Sequence, residues 1–333
     1  KTYTVDHPSF TTAQVIGPTM LSLDGATHQK HRRPFDPPFR KRAVNGRFND
    51  KVAAHIDQLL GQLKERGQAE LKSEFAGPIS VLTMKTALGM EAMPTDRALA
   101  FNNDIINSVT RLTAGLPLDE AGQAAFDHFR DSMTPELNAD AASSVLASAS
   151  MAAGALSEDE LISNAALLLI GGIETTEGMI ANAIYHLLTT SNLLETVRAD
   201  LSLMPKVVEE SLRLEPAAGV VDRFATIDAT LRGADIKAGD LVRVSLNGAN
   251  RDTAVFPTPD VFDITRPNLQ SHATFAHGPH VCIGLHLARL EAVYALQKLV
   301  EQLPNVQLKP AQAAAAKPVG LVFRKPQALH AVW

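Results

Sequence analysis

The chain has 333 residues, a formal net charge of −5 and 45% hydrophobic residues, which is the composition of a folded globular protein with a large core. The acidic balance and the low aromatic content, 5%, argue against a nucleic-acid partner. The single cysteine excludes an internal disulfide framework, which favours a reducing compartment and hence a cytoplasmic location.

Neither a membrane span nor an export signal is predicted. The longest apolar run near the middle of the chain, residues 165–173, is about half of the roughly 18 residues that a spanning helix needs. The chain starts at Lys1 without a charged and apolar leader, so we expect no export signal and an N-terminal part that is shortened or missing.

Apolar residues recur at helical spacing through about residue 215. The predicted helices span 43–66, 79–90, 97–113, 121–133, 157–189 and 193–214. Ser157 followed by Glu160 predicts a capping box at the start of the longest one. From about 217 to 265, short strand-like runs alternate with turn residues, and a last helix is predicted from Leu285 to about Leu303. The chain is therefore predicted to be mainly α with a minor β region and, lacking linkers and repeats, a single domain.

A basic run lies early in this acidic chain. Residues 30–42 carry six Lys and Arg residues against one Asp, Asp36. Charge alone is compatible with a solvated face or with a positive patch that meets an acidic partner.

The predicted long helix contains an unusual segment in its middle. Gly171 and Gly172 are adjacent, although each costs up to about 1 kcal/mol relative to alanine in a helix interior, and the polar residues Glu174 and Thr175 follow at once. One interpretation is that the glycines allow close packing and Glu174 faces solvent. The other is that the helix opens locally beside a ligand that approaches the glycine backbone.

The only cysteine, Cys282, stands between a glycine-rich turn and the last predicted helix. It could be a small buried hydrophobe, a nucleophile with a histidine base, or a zinc ligand, although structural zinc usually takes two or more thiolates. It could also be a thiolate ligand of haem iron, since the positive end of a helix dipole stabilises a thiolate. The zinc interpretation would use one or more nearby histidines: His277, His280 and His286.

The sequence FAHGPHVCIG, residues 275–284, resembles the haem-binding signature of the cytochrome P450 family. Four further motifs occur in the order of the family and extend the resemblance over nearly the whole chain. They are HQKHR at 28–32, GGIETT at 171–176, EESLR at 209–213, and ANRD at 249–252 followed by PDVFDITR at 259–266.

The resemblance implies the cytochrome P450 fold, mainly α with a minor β region, in a single domain over 1–333. The helix-rich part would span 20–215, and the strands and the haem loop would lie in 216–333. Compared with the family, the N-terminal part is missing or shortened.

The resemblance also implies the roles of individual residues. Cys282 would be the axial ligand of the haem iron. Glu174 and Thr175 would be the catalytic acid and alcohol. Other residues would contact the haem: His28, Arg32, Arg223, His280, Phe275, Gly278, Gly284, Gly171 and Gly172. Glu210, Arg213 and Arg266 would form a structural triad. His280 stands where many family members carry arginine, and it can donate a hydrogen bond in either charge state.

The implied function is that of a haem-thiolate monooxygenase, an oxidoreductase that inserts one oxygen atom from O2 into a small molecule by hydroxylation or epoxidation. The cofactor would be haem b. The pocket wall expected by analogy, which includes 320–322, is mostly small or apolar, and this favours an apolar substrate. Family members that use peroxide directly typically lack the acid and the threonine, whereas this chain has both.

The electrons would come from NAD(P)H through a ferredoxin reductase and a ferredoxin, because one cysteine cannot hold an iron–sulfur cluster. The basic run Lys30–Arg42 is the expected dock for an acidic ferredoxin. An isomerase or dehydratase of the same family, or a haem sensor or carrier, remains an alternative.

Overall fold

The computed structural model describes residues 2–152 and 156–333. The chain divides into two compact units, each assembled from three segments. The first unit comprises Lys1–Arg40, Met84–Gly171 and Asp222–Val244, and the second comprises Lys41–Thr83, Gly172–Val221 and Ser245–Trp333. The assignment of the chain to a single domain stays a prediction.

Helices dominate the described residues, as the sequence predicts. They are α1 (Thr11–Ile16), α2 (Gly25–Arg32), α3 (Asp36–Phe39), α4 (Lys41–Leu63), α5 (Gly77–Leu88), α6 (Thr95–Thr113), α7 (Glu120–Met133), α8 (Val145–Met151), α9 (Glu158–Thr189), α10 (Leu193–Ala199), α11 (Met204–Leu214), α12 (Leu246–Ala249), α13 (Leu285–Gln302) and α14 (Ala313–Ala316).

Short strands form small antiparallel pairings. The strands are β1 (Tyr3–Thr4), β2 (Gln68–Glu70), β3 (Val220–Ala225), β4 (Ala229–Leu231), β5 (Ala234–Ile236), β6 (Leu241–Ser245), β7 (Gln307–Leu308) and β8 (His330–Val332). Their orders are β1-β3-β6, β2-β8-β7 and β4-β5. Arg232 and Gly233 connect β4 to β5 with φ angles of 50° and 86°, because a two-residue hairpin turn of this kind needs two positive φ values.

The core of the first unit forms where α1, α6 and α7 pack together. Phe101 of α6 and Phe129 of α7 meet edge to face, with ring centroids 5.9 Å apart. Asp119 caps α7, since its side chain accepts a hydrogen bond from the backbone N–H of Gly122. The polar cap fixes where α7 begins, and the aromatic pair fixes which face it buries.

The core of the second unit forms between α4 and α13. Apolar residues four positions apart on α4 are buried and form one continuous stripe: Phe48, Val52, Ile56 and Leu60. The buried stripe of α13 comprises Ala292, Ala295, Leu296 and Leu299. Helix α11 packs on α13 as well, so α13 is the common support of its neighbours α4 and α11.

Helix α9 begins as the sequence predicts. The backbone N–H of Glu160 donates to the Ser157 hydroxyl at 3.2 Å, and the backbone N–H of Ser157 donates to the Glu160 carboxylate at 2.8 Å, so the capping box is confirmed. Among the described residues, this helix alone has the length and hydropathy of a membrane span, and 67% of its apolar window is buried within the protein, as in a core helix.

The prediction of a single helix over 193–214 is wrong. The structure divides it into α10 and α11 at Asp200, whose backbone is extended with φ −147° and ψ 92°. The Asp200 side chain accepts a hydrogen bond from the backbone N–H of Ser202 at 3.0 Å, and Pro205 lies in the first turn of α11. A capping aspartate and a proline together favour a new helix start over continuation.

Candidate active site

The loop before α13 folds back on itself at Cys282. The backbone N–H of Cys282 donates to the Phe275 carbonyl at 2.8 Å, and that of Val281 donates to the Gly278 carbonyl at 3.0 Å. Ala276 and Gly278 have φ angles of 56° and 75°, the left-handed conformation that a tight turn here requires. Cys282 is half-buried and lies three residues before Leu285, the first residue of α13, where the helix dipole favours a thiolate.

A partly buried charge cluster ties this loop to α11 and α13. The Arg289 Nη2 atom donates to Glu209 Oε2 at 2.9 Å, and His272 Nε2 lies 3.1 Å from the same oxygen. Burial would raise the pKa of Glu209, but the bonds from Arg289 and His272 outweigh it and lower the pKa to about 2. The Arg289 guanidinium also lies 4.5 Å from the centroid of the Phe275 ring, a cation–π contact with the loop.

Glu210, Arg213 and Arg266 meet in the second unit and are almost entirely inaccessible to solvent. Arg213 binds the carboxylate of Glu210 with both Nε and Nη2, at 2.8 and 2.7 Å, and Arg266 Nε adds a third bond at 3.0 Å. The backbone N–H of Asp263 donates a fourth at 2.9 Å. The other guanidinium N–H groups donate to backbone carbonyls within 250–261, so the buried charges are paired.

Asn250 connects the triad to the cysteine loop. Its carbonyl accepts from Arg213, its side-chain amide donates to Thr274 Oγ1 at 2.8 Å, and its side-chain oxygen accepts from the backbone N–H of Ala273 at 2.7 Å. Thr274 Oγ1 in turn donates to the Leu212 carbonyl of α11 at 2.7 Å. The residues that precede Phe275 are therefore held by the side chain of Asn250, which follows α12, and by the backbone of α11.

In the first unit, His28 and Arg32 lie on α2, which is fixed against the start of α9. His31 is buried, its Nδ1 lies 2.9 Å from the Asn164 amide nitrogen, and its Nε2 lies 3.4 Å from Glu160. Burial lowers the pKa of His31 more than Glu160 raises it. These contacts orient the helix that carries His28 and Arg32.

A surface cleft of about 350 Å³ opens beside α2 in the first unit. Its lining comprises His28, Gln29, Arg32, Arg33, Asp36, Pro37 and Arg40. Three arginines against one aspartate give the cleft the donor set of a carboxylate-binding surface.

Arg223 lies in the first unit, at β3. Its Nη1 atom donates to the Asp222 carbonyl at 2.7 Å. Burial lowers the pKa of Arg223, although the carboxylates of Asp24 and Asp222 raise it. Asp24 is the residue before α2, so Arg223 interacts with the start of the helix that carries His28.

The glycine-containing segment of α9 fits neither interpretation of the sequence. The helix continues without a break through 171–176, so the expected local opening is absent, and Glu174 is ion-paired rather than turned to solvent. Gly171 is nevertheless exposed while Ile170 and Ile173 are buried, and a Cβ atom added at Gly171 would meet open space. The helix thus presents accessible backbone at Gly171.

The structure groups the predicted site residues within each unit. The second unit holds Phe275, Gly278, His280, Cys282 and Gly284 in one loop, Gly172, Glu174 and Thr175 on α9, and the triad of Glu210, Arg213 and Arg266. The first unit holds His28, Arg32, Arg223 and Gly171.

Sequence reasoning missed four residues that contact the site: Glu209, His272, Arg289 and Lys325. Only Glu209 carried a signal, since it stands beside Glu210 on an amphipathic helix. The zinc interpretation of Cys282 lacks a ligand set, because the described residues include no cluster of three or more His, Cys, Asp and Glu side chains that could hold a metal ion.

The chain resembles known proteins in both sequence and fold. The family model described as Cytochrome P450 matches residues 123–327. The mycinamicin IV hydroxylase/epoxidase of Micromonospora griseorubida is 33% identical over 337 residues, which cover 99% of this chain and 83% of that protein. Cytochrome P450 107B1 of Saccharopolyspora erythraea is 32% identical over 93% of this chain and 74% of its own length. Among solved structures, the enzyme CxnD, described as forming a C–S bond in chuangxinmycin biosynthesis, superposes with a TM-score of 0.86 at 30% identity and covers 98% of this chain and 82% of that one.

Proposed function

The chain belongs to the cytochrome P450 family and is a monooxygenase of that family, and we propose that it inserts one oxygen atom from O2 into an apolar small molecule, using electrons from a separate ferredoxin. The observation that carries the proposal is the Cys282 loop, whose thiol precedes α13 and which is tied to Asn250, the residue after α12, and to Leu212 of α11.

The residues present fit a haem. Cys282 offers a soft thiolate ligand, and Gly278 and Gly284 beside it leave open space where a side chain would stand. His28 and Arg32 line a cleft with the donors that propionates need. Cys282 would be the residue that ligates the haem iron. The other proposed haem contacts are His28, Arg32, Arg223, His280, Phe275, Gly278, Gly284, Gly171 and Gly172.

When bound, haem supplies the activation of O2, and the protein supplies position and protons. Glu174 and Thr175 are adjacent on α9, and both are half-buried. The Thr175 hydroxyl can donate one hydrogen bond and accept others, and the Glu174 carboxylate can take up a proton and release it. In this proposal Glu174 holds the proton to be delivered, and Thr175 orients the group that receives it.

An apolar substrate is supported by the turn at 320–322. Gly320 has a φ of 115°, and a Cβ atom there would overlap the Phe323 carbonyl, so the turn needs glycine. It leaves the Leu321 side chain 62% exposed and that of Val322 38% exposed. Accessible aliphatic side chains at a position where the family contacts substrate favour an apolar ligand. Hydroxylation and epoxidation both remain within the proposal.

The proposed redox partner is an acidic ferredoxin, reduced by NAD(P)H through a ferredoxin reductase in the cytoplasm. In the run Lys30–Arg42, Lys30 pairs with Glu160 at 3.0 Å and Arg40 pairs with Asp36 at 3.1 Å. The run still carries exposed positive charge at Arg33, Lys41 and Arg42. Such a surface accelerates association with an acidic partner, and salt weakens the effect.

The absorption spectrum of the reduced protein with carbon monoxide tests the proposal. We expect the red-shifted Soret band of a thiolate-ligated haem in the wild type, the shorter-wavelength band in Cys282→His, and the wild-type band in His277→Gln, a control in the same loop. A wild-type protein without a haem band, or a Cys282→His variant that keeps the red-shifted one, would contradict it.

The isomerase or dehydratase alternative is tested by turnover. A monooxygenase needs reductant and consumes O2 with its substrate, whereas an isomerase or dehydratase converts substrate without either. Product formation in the absence of NAD(P)H would replace the proposed reaction with the alternative while leaving the haem assignment intact.

A further inference from the structure

The segment 322–325 lies along one face of α9. Asn182 donates from its side-chain amide to the Arg324 carbonyl and to the Glu215 carbonyl, both at 2.9 Å. One turn earlier, Gly178 allows close approach, because a Cβ atom there would stand 3.1 Å from the Cβ of Ala217 and 3.4 Å from that of Lys325. Glu174 is one further turn back, so Glu174, Gly178 and Asn182 occupy one face of the helix.

The backbone of this segment is fixed on both sides of Lys325. The backbone N–H of Arg324 donates to the Ala217 carbonyl at 2.8 Å, and that of Gly219 donates to the Val322 carbonyl at 2.9 Å. Lys325 exchanges two backbone hydrogen bonds of 3.1 Å with Val319. The position of the Lys325 backbone relative to α9 is therefore set by the fold.

The Lys325 ammonium lies between two carboxylates of α9. Its Nζ atom is 2.7 Å from Glu174 Oε1 and 3.2 Å from Glu177 Oε2. The three side chains are only 13 to 21% exposed, so water screens these charges less than at an open surface. The positive charge of Lys325 thus pairs with the negative charges of both Glu174 and Glu177.

Charge and burial act differently on Lys325 and Glu177. Burial lowers the pKa of Lys325, but Glu177 and Glu174 outweigh it and raise the pKa, so the ammonium keeps its charge at neutral pH. Burial raises the pKa of Glu177, while Lys325 and the nearby Lys72 oppose that effect. The cluster therefore keeps its positive charge on Lys325, while burial makes Glu177 easier to protonate than an exposed carboxylate.

We propose that Lys325 is a positioning residue for Glu174, and that Glu177 is the second carboxylate that holds the ammonium when Glu174 takes up a proton or turns away. This inference rests on the proposed role of Glu174. The step moves one proton: the Glu174 carboxylate takes it from hydronium in the solvent and passes it to the group that Thr175 orients, while Lys325 Nζ keeps its three. No electrons are transferred in it.

Sharing of the ammonium is tested by the ¹⁵Nζ resonance of Lys325 in lysine-labelled protein, assigned by its loss in Lys325→Met. We expect the signal to persist and to shift in Glu174→Gln and in Glu177→Gln, and to broaden away by water exchange in the double variant. A signal that is lost in one single variant and unchanged in the other would show that the ammonium serves one carboxylate only, and would overturn the proposal.

The positioning role is tested by the fate of O2. With NADPH and a commercial ferredoxin and ferredoxin reductase, Lys325→Met should raise the fraction of consumed O2 released as H2O2 by about threefold or more, because proton delivery through Glu174 is impaired. Its solvent isotope effect should rise as well. Lys325→Arg should restore both, since it keeps the positive charge. Lys317→Met, which removes an exposed lysine eight positions earlier, should match the wild type.

A merely structural role would give a different result. Lys325→Met would then lower haem content and melting temperature but leave the peroxide fraction and the isotope effect per haem unchanged, which would overturn the proposal. Should Lys325→Met not fold, Lys325→Gln carries the same comparison, because it also removes the positive charge while keeping a polar side chain. The ammonium resonance needs no haem, so a failure of the proposed function, seen as a missing carbon monoxide band, is distinguishable from a failure of the shared ion pair.

Discussion

The guanidinium of Arg289 binds the carboxylate of Glu209 through two hydrogen bonds, of which the one from Nη2 measures 2.9 Å. The same guanidinium covers the ring of Phe275 at 4.5 Å. A single side chain of α13 therefore links α11 to the loop that carries Cys282. The stability of this link depends on the charge of Glu209.

Arg289→Met should destabilise the protein at pH 7 by about 1–2 kcal/mol, since it removes a hydrogen-bonded charge partner of Glu209. The folded protein holds the pKa of Glu209 at about 2, below its ordinary 4.5, so the stabilisation is present above pH 4.5 and is lost as pH falls toward 2. Urea unfolding should show a smaller loss of stability between pH 4.5 and 3 in the variant than in the wild type. An equal loss of stability in both proteins would contradict the ion pair between Arg289 and Glu209. The control is Arg198→Met, a substitution at the surface of α10 that should keep the pH dependence of the wild type.

Glu210→Gln should cost about 3–5 kcal/mol, because it leaves the buried guanidinium groups of Arg213 and Arg266 without their counter-charge. Chemical unfolding measures the loss directly. Glu195→Gln, which removes an exposed carboxylate 3.9 Å from Arg198, should change stability by less than about 0.5 kcal/mol. If the two substitutions cost the same, the triad does not stabilise the fold.

His186 should make the protein less stable in mild acid. It is buried against Phe262, and burial, followed by Arg251 and Arg213, lowers its pKa to about 3. The unfolded chain takes up the proton below about pH 6.5, whereas the folded chain does not, so stability falls as pH drops from 6.5 toward 3. At pH 5 the loss is about 2 kcal/mol from this residue.

His186→Phe keeps a ring that can stack on Phe262 and cannot be protonated. Its free energy of unfolding should therefore fall by about 2 kcal/mol less than that of the wild type between pH 7 and pH 5. Buried His31, whose pKa is also lowered, contributes equally to both proteins and cancels in the comparison. Parallel pH dependences would refute the role given to His186.

Two glycines of α9 should respond oppositely to alanine. Gly178→Ala should destabilise the protein by about 1–3 kcal/mol, since the new Cβ would stand 3.1 Å from that of Ala217, which the backbone holds in place. Gly171→Ala meets open space and should stabilise the haem-free chain by up to about 1 kcal/mol through helix propensity. Thermal unfolding of the haem-free proteins separates the two effects, and destabilisation by Gly171→Ala would contradict the open space beside it.

The sequence predicted features whose cause is local. Ser157 and Glu160 are three residues apart, so the start of α9 could be read from them, and the spacing of Glu210 and Arg213 placed both on one face of α11. The break at Asp200 was missed because apolar spacing continued across it, although an aspartate and a proline marked it. The contacts Lys325–Glu174 and Arg289–Phe275 join residues from separate elements, and no local pattern encodes such a partner.

The carboxylate of Glu210 can be buried only when both guanidinium groups and the backbone of 250–266 are in place. If one of these partners moves away alone, an unpaired charge remains buried in the protein interior, which is strongly unfavourable. The backbone groups that hold Arg213 and Arg266 are therefore expected to open as one unit with the triad, so hydrogen exchange at the Asp263 amide should report on the release of Glu210.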